Sequence, residues 1–170
     1  MTSGPRIYNL FPLLAGPIEG APGHDWASHL DRIRRMHFDW VFVNPFHMPG
    51  FSGSLYAIKD PYDLHPVVRG PSQRSTEEIV AGFAKACDNH GLKFMMDLVV
   101  NHTAKDAILA AEHPDWYRRE LDGSLYSPRA IDPGNADNVT IWGDLAELDY
   151  SHPGIRQGLI EYWANYIRHY

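Results

Sequence analysis

Met96-Asp97-Leu98-Val99-Val100-Asn101-His102 is the stretch whose reading decides the fold. It closes an apolar run that begins at Leu92, just after Gly91. Residues 92–100 therefore read as a strand, apolar enough that both of its faces must be covered. Period-two alternation puts Asp97, Val99 and Asn101 on one side, and His102 falls just past the strand, where it can turn over the end. An aspartate inside so apolar a run is costly unless it is paired or hydrogen-bonded. Asp97 is either a structural carboxylate bonded to backbone amides or a neighbouring arginine, or part of a site. The residues alone leave both readings open.

Working outward towards the N-terminus, two further segments share this texture. Residues 7–11 form a short apolar run ended by Pro12 and a turn-rich stretch, and Trp40-Val41-Phe42-Val43-Asn44 is a second run closed by Pro45. Between them Trp26, Leu30 and Ile33 recur at helical spacing, with Asp31, Arg32, Arg34 and Arg35 on the opposite face. A long loop over 46–74, rich in Gly, Pro, Ser and Tyr, leads to Ser75-Thr76-Glu77-Glu78, a capping box that opens a helix. Ile79, Phe83 and Cys87 form its apolar stripe, joined by Val80 and Ala84, and Gly91 is its natural stop.

Towards the C-terminus, residues 103–152 make another long excursion before a helix that starts near Pro153. That helix carries Ile155, Leu159, Trp163, Tyr166 and Tyr170 on one stripe. The order strand-helix-strand-helix-strand-helix demands parallel strands and an α/β fold, either a barrel or a doubly wound sheet. Pro12-Leu13-Leu14-Ala15-Gly16 after the first strand has no glycine-rich phosphate pattern, which weakens nucleotide binding. The loops leaving the strands are long and polar and those leaving the first two helices are short, so the length is invested on the face where parallel βα folds carry their sites.

Composition excludes several classes. The net charge of -6 favours neither nucleic acid nor an anionic membrane surface. No apolar stretch reaches the roughly 18 residues of a membrane span, and residues 1–6 lack the basic and apolar regions of a secretory signal, so a cytoplasmic location is expected. The single cysteine, Cys87, forms no internal disulfide and reads as a small core residue. The 10 histidines show no zinc spacing with a third ligand, and His24, His29 and His65 read as surface or loop residues. Trp116 is expected to pack a loop helix and Trp163 to be core.

Taken together, Asp97, Asn101 and His102 resemble the first signature region of the α-amylase family, glycoside hydrolase family 13, in which a D-x-x-x-N-H stretch closes the third strand of a (β/α)8 barrel. Leu55-Tyr56-Ala57-Ile58-Lys59-Asp60-Pro61-Tyr62 resembles the loop after the second strand, and Asn44-Pro45-Phe46 that strand's ending. Trp142-Gly143-Asp144-Leu145-Ala146-Glu147-Leu148-Asp149-Tyr150 is similar to the region leading out of the loop inserted after the third strand. Ala57 and Pro61 depart from the pattern, which carries an acid and an aromatic there in many members. The opening, with Ile7-Tyr8-Asn9-Leu10-Phe11-Pro12 and Gly50-Phe51-Ser52-Gly53-Ser54, looks closest to the α-amylase-like domains attached to bacterial maltosyltransferases.

The resemblance implies the N-terminal βαβαβα part of a (β/α)8 TIM barrel with a long insertion after the third strand. Residues 1–102 would hold the first strands and helices, 103–152 the inserted subdomain and 153–170 the third barrel helix. It implies an α-glucan or maltooligosaccharide substrate, with Tyr56 stacking on the sugar and His102 donating to a ring hydroxyl. Asp97 would anchor the arginine and nucleophile of the next strand, and Asn101 would brace the insertion. No cofactor or metal ligand is expected, although the equivalent asparagine helps hold calcium in many relatives.

Retaining glycosidases need two carboxyl groups roughly 5–5.5 Å apart. In this family they follow on the fourth and fifth strands, so no catalytic residue is expected in this chain and the C-terminal part of the barrel is its missing partner. The parent would be a retaining α-glucan hydrolase or a maltosyl or glucanosyl transferase, and the fragment inactive alone. A substitute nucleophile among Asp144, Glu147 and Asp149 is disfavoured because their loop offers no apolar setting to raise a carboxyl pKa. The rival reading is a non-catalytic glycan-binding or regulatory barrel domain.

Overall fold

A computed structural model describes residues 4–170. In chain order its strands are β1 (Ile7–Leu10), β2 (Trp40–Val43), β3 (His47–Pro49), β4 (Ile58–Leu64), β5 (Lys93–Met96), β6 (His102–Ala104), β7 (Arg129–Asp132), β8 (Asn135–Ile141) and β9 (Leu145–Glu147). The α-helices are α1 (Pro12–Ala15), α2 (Leu30–Arg35), α3 (Pro66–Arg69), α4 (Thr76–Asn89), α5 (Ile108–Glu112) and α6 (Pro153–His169). Two compact units result. One holds the chain up to Phe46 with Tyr62–Leu98 and His169–Tyr170, and the other holds His47–Pro61 with Val99–Arg168.

The first unit is built on a parallel sheet in the order β1-β2-β5, with Ile7 opposite Trp40 and Trp40 opposite Lys93. Its two expected helices form where the sequence places them, while the short α1 and α3 lie in stretches that read as loop. Asp25 accepts from the Ser28 amide at 2.9 Å and opens a single 3-10 turn that runs into α2. Ser75 and Glu78 complete the reciprocal capping box of α4, with bonds of 3.3 and 3.1 Å. Gly91, at a φ of 66° that favours glycine, turns the chain from α4 into β5.

Trp26 fills the middle of this unit's core. It is fully buried, stands edge-on to Phe46 and Phe83, and donates its indole N–H to the Gly16 carbonyl at 2.8 Å. Ile33, Val41, Val43, Ile79, Cys87 and Leu92 pack in the same cluster. Burial pushes the Cys87 thiol up to about 12, so it stays an uncharged core residue as expected.

The third strand is shorter than the expected 92–100. β5 ends at Met96, the Asp97 amide adds one more bond to the Val43 carbonyl at 3.0 Å, and from Leu98 onward the ladder stops. Val99 is buried without being paired in a strand, and apolar periodicity does not separate these two states. Nor is β5 covered on both faces: Phe94, Met95 and Met96 are half-buried, because β5 is an outer strand of this three-stranded sheet.

In the second unit β6 and β9 pair antiparallel, His102 opposite Glu147 and Ala104 opposite Leu145. β7 and β8 form an exposed antiparallel hairpin. The 103–152 excursion, read as an inserted loop subdomain, thus contains paired strands, with the Pro133-Gly134 dipeptide at the turn between β7 and β8. α6 buries Leu159, Trp163 and Tyr166, three members of the expected stripe. The Trp163 indole donates to the Tyr150 hydroxyl at 3.0 Å, which donates to the Val100 carbonyl at 2.5 Å. Trp116 packs against Gly158 of α6, where a side chain would meet the indole at 2.8 Å. Among the described residues no helix is long and apolar enough to cross a membrane.

Candidate functional site

The site in the second unit is built on the loop of residues 50–57. Gly50 is required there: a Cβ would collide with Ala104 and the Asp106 carboxylate. The same carboxylate accepts from the Phe51 amide at 3.3 Å and pairs with Lys59 at 3.3 Å. The loop closes through the Gly50 amide on the Ala57 carbonyl at 2.7 Å, and the Ser52 hydroxyl donates to Asp144 at 2.6 Å. Leu55 and Ala57 turn inward and are buried, and Tyr56 between them is 42% exposed.

Tyr56, Asn101 and His102 come together around one cavity of about 430 Å³, which Trp142, Asp144 and Pro128 also line. That volume falls inside the roughly 300–1,000 Å³ typical of small-molecule sites. His102 is half-buried, and its Nε2 lies 3.2 Å from the Tyr56 carbonyl. A carbonyl only accepts, so this nitrogen carries the proton and donates. Its Nδ1 is buried and has no hydrogen-bond partner among the described residues. Burial lowers the His102 pKa, while the bond to the Tyr56 carbonyl and the charges of Asp144 and Glu147 oppose the shift. The ring is therefore held neutral to lower pH than a free histidine. In this structure that N–H meets the Tyr56 carbonyl.

Asp97 belongs to the first unit, half-buried at the end of β5. The acids of 144–149 each have other work. Asp144 accepts from Ser52, Arg118 donates to Glu147 at 2.6 Å, and Asp149 accepts from the Ser151 amide at 2.9 Å. The Ser151 hydroxyl and amide, with Arg118 and His152 nearby, hold the Asp149 carboxyl below its usual range, opposite to what a general acid needs. Asn101 is exposed and shares a second cavity with Glu147 and Asp149. Calcium takes 6–8 oxygen ligands, and here Arg118 already neutralises Glu147. Among the described residues no group of three His, Cys, Asp or Glu is placed to hold a metal ion.

Two residues at the site escape a reading by motif. Trp142 lies inside a quoted segment but has no assigned role, and its exposure on a cavity wall shows only in three dimensions. Asp144 appears in the sequence as a disfavoured substitute acid, whereas it anchors the Tyr56 loop across 92 residues of chain.

The family model for the glucanotransferase domain of glycogen debranching enzyme matches residues 15–120, more than half of the chain. The chain belongs to the α-amylase family. This member of the α-amylase family is 27% identical over 143 residues to an α-1,4-glucan:maltose-1-phosphate maltosyltransferase of Arcanobacterium haemolyticum, covering 69% of the chain and 20% of that enzyme. It is 30% identical over 140 residues to the maltosyltransferase of the same name from Mycolicibacterium smegmatis, covering 69% of the chain and 20% of that protein. Among solved structures, an α-amylase from Lactobacillus plantarum superposes with a TM-score of 0.69 at 27% identity, over 95% of this chain and 36% of that one. The chain thus spans about a fifth of the length of these two maltosyltransferases.

Proposed function

We propose that the chain supplies the first βαβαβα part of a (β/α)8 barrel, with residues 103–152 as its insertion, in a retaining α-glucan-active hydrolase or maltosyl or glucanosyl transferase. Its own contribution is to grip the glucan. The observation that carries this reading is the exposed Tyr56 beside a His102 held neutral by burial, on a cavity of about 430 Å³. A sugar ring offers an apolar C–H face and a rim of hydroxyls. Tyr56 provides the flat apolar surface, while Asn101 and the Asp144 carboxylate provide hydrogen-bonding partners. His102 fixes the Tyr56 backbone through Nε2, and a sugar hydroxyl can take that N–H in place of the carbonyl.

The carboxylates that break the glycosidic bond belong, on this reading, to a part of the protein outside these 170 residues. Calorimetry with maltotriose tests the grip, and product analysis tests the division of labour. The chain binds maltotriose and releases no shorter sugar, and Tyr56→Ala weakens binding about tenfold, as expected when a principal aromatic anchor is lost. Turnover by the chain alone, or an unchanged affinity in Tyr56→Ala, would refute the proposal.

A further inference from the structure

We infer that Trp142 is a second aromatic wall of the glucan site, so that the site selects two or more consecutive α-linked glucose units over one. The inference rests on the glucan-binding reading above and assigns a specificity-determining residue within it.

Trp142 differs from Trp26 and Trp163. Trp26 is fully buried and Trp163 is 8% exposed, each with its indole N–H bonded within its own unit. Trp142 leaves 43% of its surface open and does so on the wall of the cavity that Tyr56 and His102 line. Leaving so large an apolar surface in water forgoes roughly 25 cal/mol per Å² that burial would return, and a ligand seated in the cavity recovers it.

The ring is also held in place. The Trp142 amide donates to the Pro128 carbonyl at 3.0 Å, and the Trp142 carbonyl accepts from the Leu145 amide at 3.2 Å. These bonds fix the residue directly after β8. The same cavity is lined by groups suited to hydroxyls: Asn101, and the Asp144 carboxylate, oriented by Ser52. A single glucose meets the flat surface of Tyr56 and these polar groups. A second α-linked unit is needed to cover Trp142 as well, so the added affinity appears only with the longer sugar.

The test measures the affinity of glucose and maltotriose for the unsubstituted protein and for Trp142→Ala, Trp142→Phe and Tyr56→Ala, with thermal melts to confirm folding. Trp142→Ala is expected to weaken maltotriose about tenfold while leaving glucose within about twofold. Trp142→Phe should keep most of the maltotriose affinity, since it preserves a flat apolar face. Tyr56→Ala should weaken both sugars. If Trp142→Ala leaves maltotriose unchanged, or weakens both sugars equally, while Tyr56→Ala still weakens both, the second wall is refuted and the glucan reading stands. If the unsubstituted protein binds neither sugar, or Tyr56→Ala changes nothing, the reading falls and the inference falls with it.

Discussion

Replacing His47 with glutamine should remove a defined part of the protein's acid sensitivity. The imidazole is 1% exposed and shares a 2.8 Å hydrogen bond with the Tyr166 hydroxyl of α6. Burial pushes its pKa from 6.5 down to about 4. The sign follows from which state takes the proton first. Below pH 6.5 the unfolded chain protonates this histidine while the folded protein excludes the proton, so stability is full above 6.5 and falls between 6.5 and about 4. At pH 4.5, two units below the unfolded value, the loss is about 2.5 kcal/mol at 1.36 kcal/mol per unit. For a chain of this size that corresponds to roughly 5–10 °C in melting temperature. The assay is urea denaturation of the natural protein and His47→Gln at pH 7.5 and 4.5. The variant loses the Tyr166 contact at both pH values, so that cost cancels in the comparison, as do the other histidines. Equal pH dependence in the two proteins within about 0.5 kcal/mol, or an NMR titration of His47 centred near the ordinary histidine value, would refute the reasoning.

Three further outcomes are expected. Ser75→Ala removes one half of the α4 capping box and should cost about 1 kcal/mol, seen as a fall of roughly 2–4 °C in a thermal melt. Gly50→Ala drives a methyl into Ala104 and Asp106 and should destabilise the protein by about 1–3 kcal/mol, with maltotriose affinity falling as the Tyr56 loop shifts; an unchanged melt and affinity would count against the packing described. Because burial lowers the His102 pKa, maltotriose affinity measured by calorimetry should stay flat from pH 8 down to 6.5 and weaken only at lower pH; a midpoint above 6.5 would contradict that direction.

The parts of the fold that were legible in the sequence are those set by local chemistry. Ser75 with Glu78 marks a helix start because two unsatisfied amides find side-chain partners three residues apart. The run 40–44 marks a strand, and β2 is indeed the central strand of its sheet. The reading overreached at 98–100, where burial of Val99 imitates a strand that has no ladder partner. It missed the β7–β8 hairpin, whose residues are all exposed along β8 and so carry no apolar alternation to find. At the site, Tyr56, Asn101 and His102 were legible as a motif. The bond of His102 to the Tyr56 carbonyl was not, because it depends on the path of a loop fixed by Gly50 and Asp144.

Those loop contacts also decide what the acidic segment does. A carboxyl that protonates a leaving group at neutral pH must hold its proton there, which requires an apolar or anionic setting. Asp149 sits in the opposite setting, with two donors from Ser151 and the positive charge of Arg118 favouring its ionised form. Glu147 meets Arg118 at 2.6 Å, and Asp144 meets Ser52 at 2.6 Å. Each acid therefore spends its charge on fixing a loop or strand. Asp144 holds the loop that presents Tyr56 and stands two residues beyond Trp142 on the same wall. Of the three acids, Asp144 alone acts on the Tyr56 loop, while Arg118 holds Glu147 and Ser151 holds Asp149, so none is left in the setting a general acid needs.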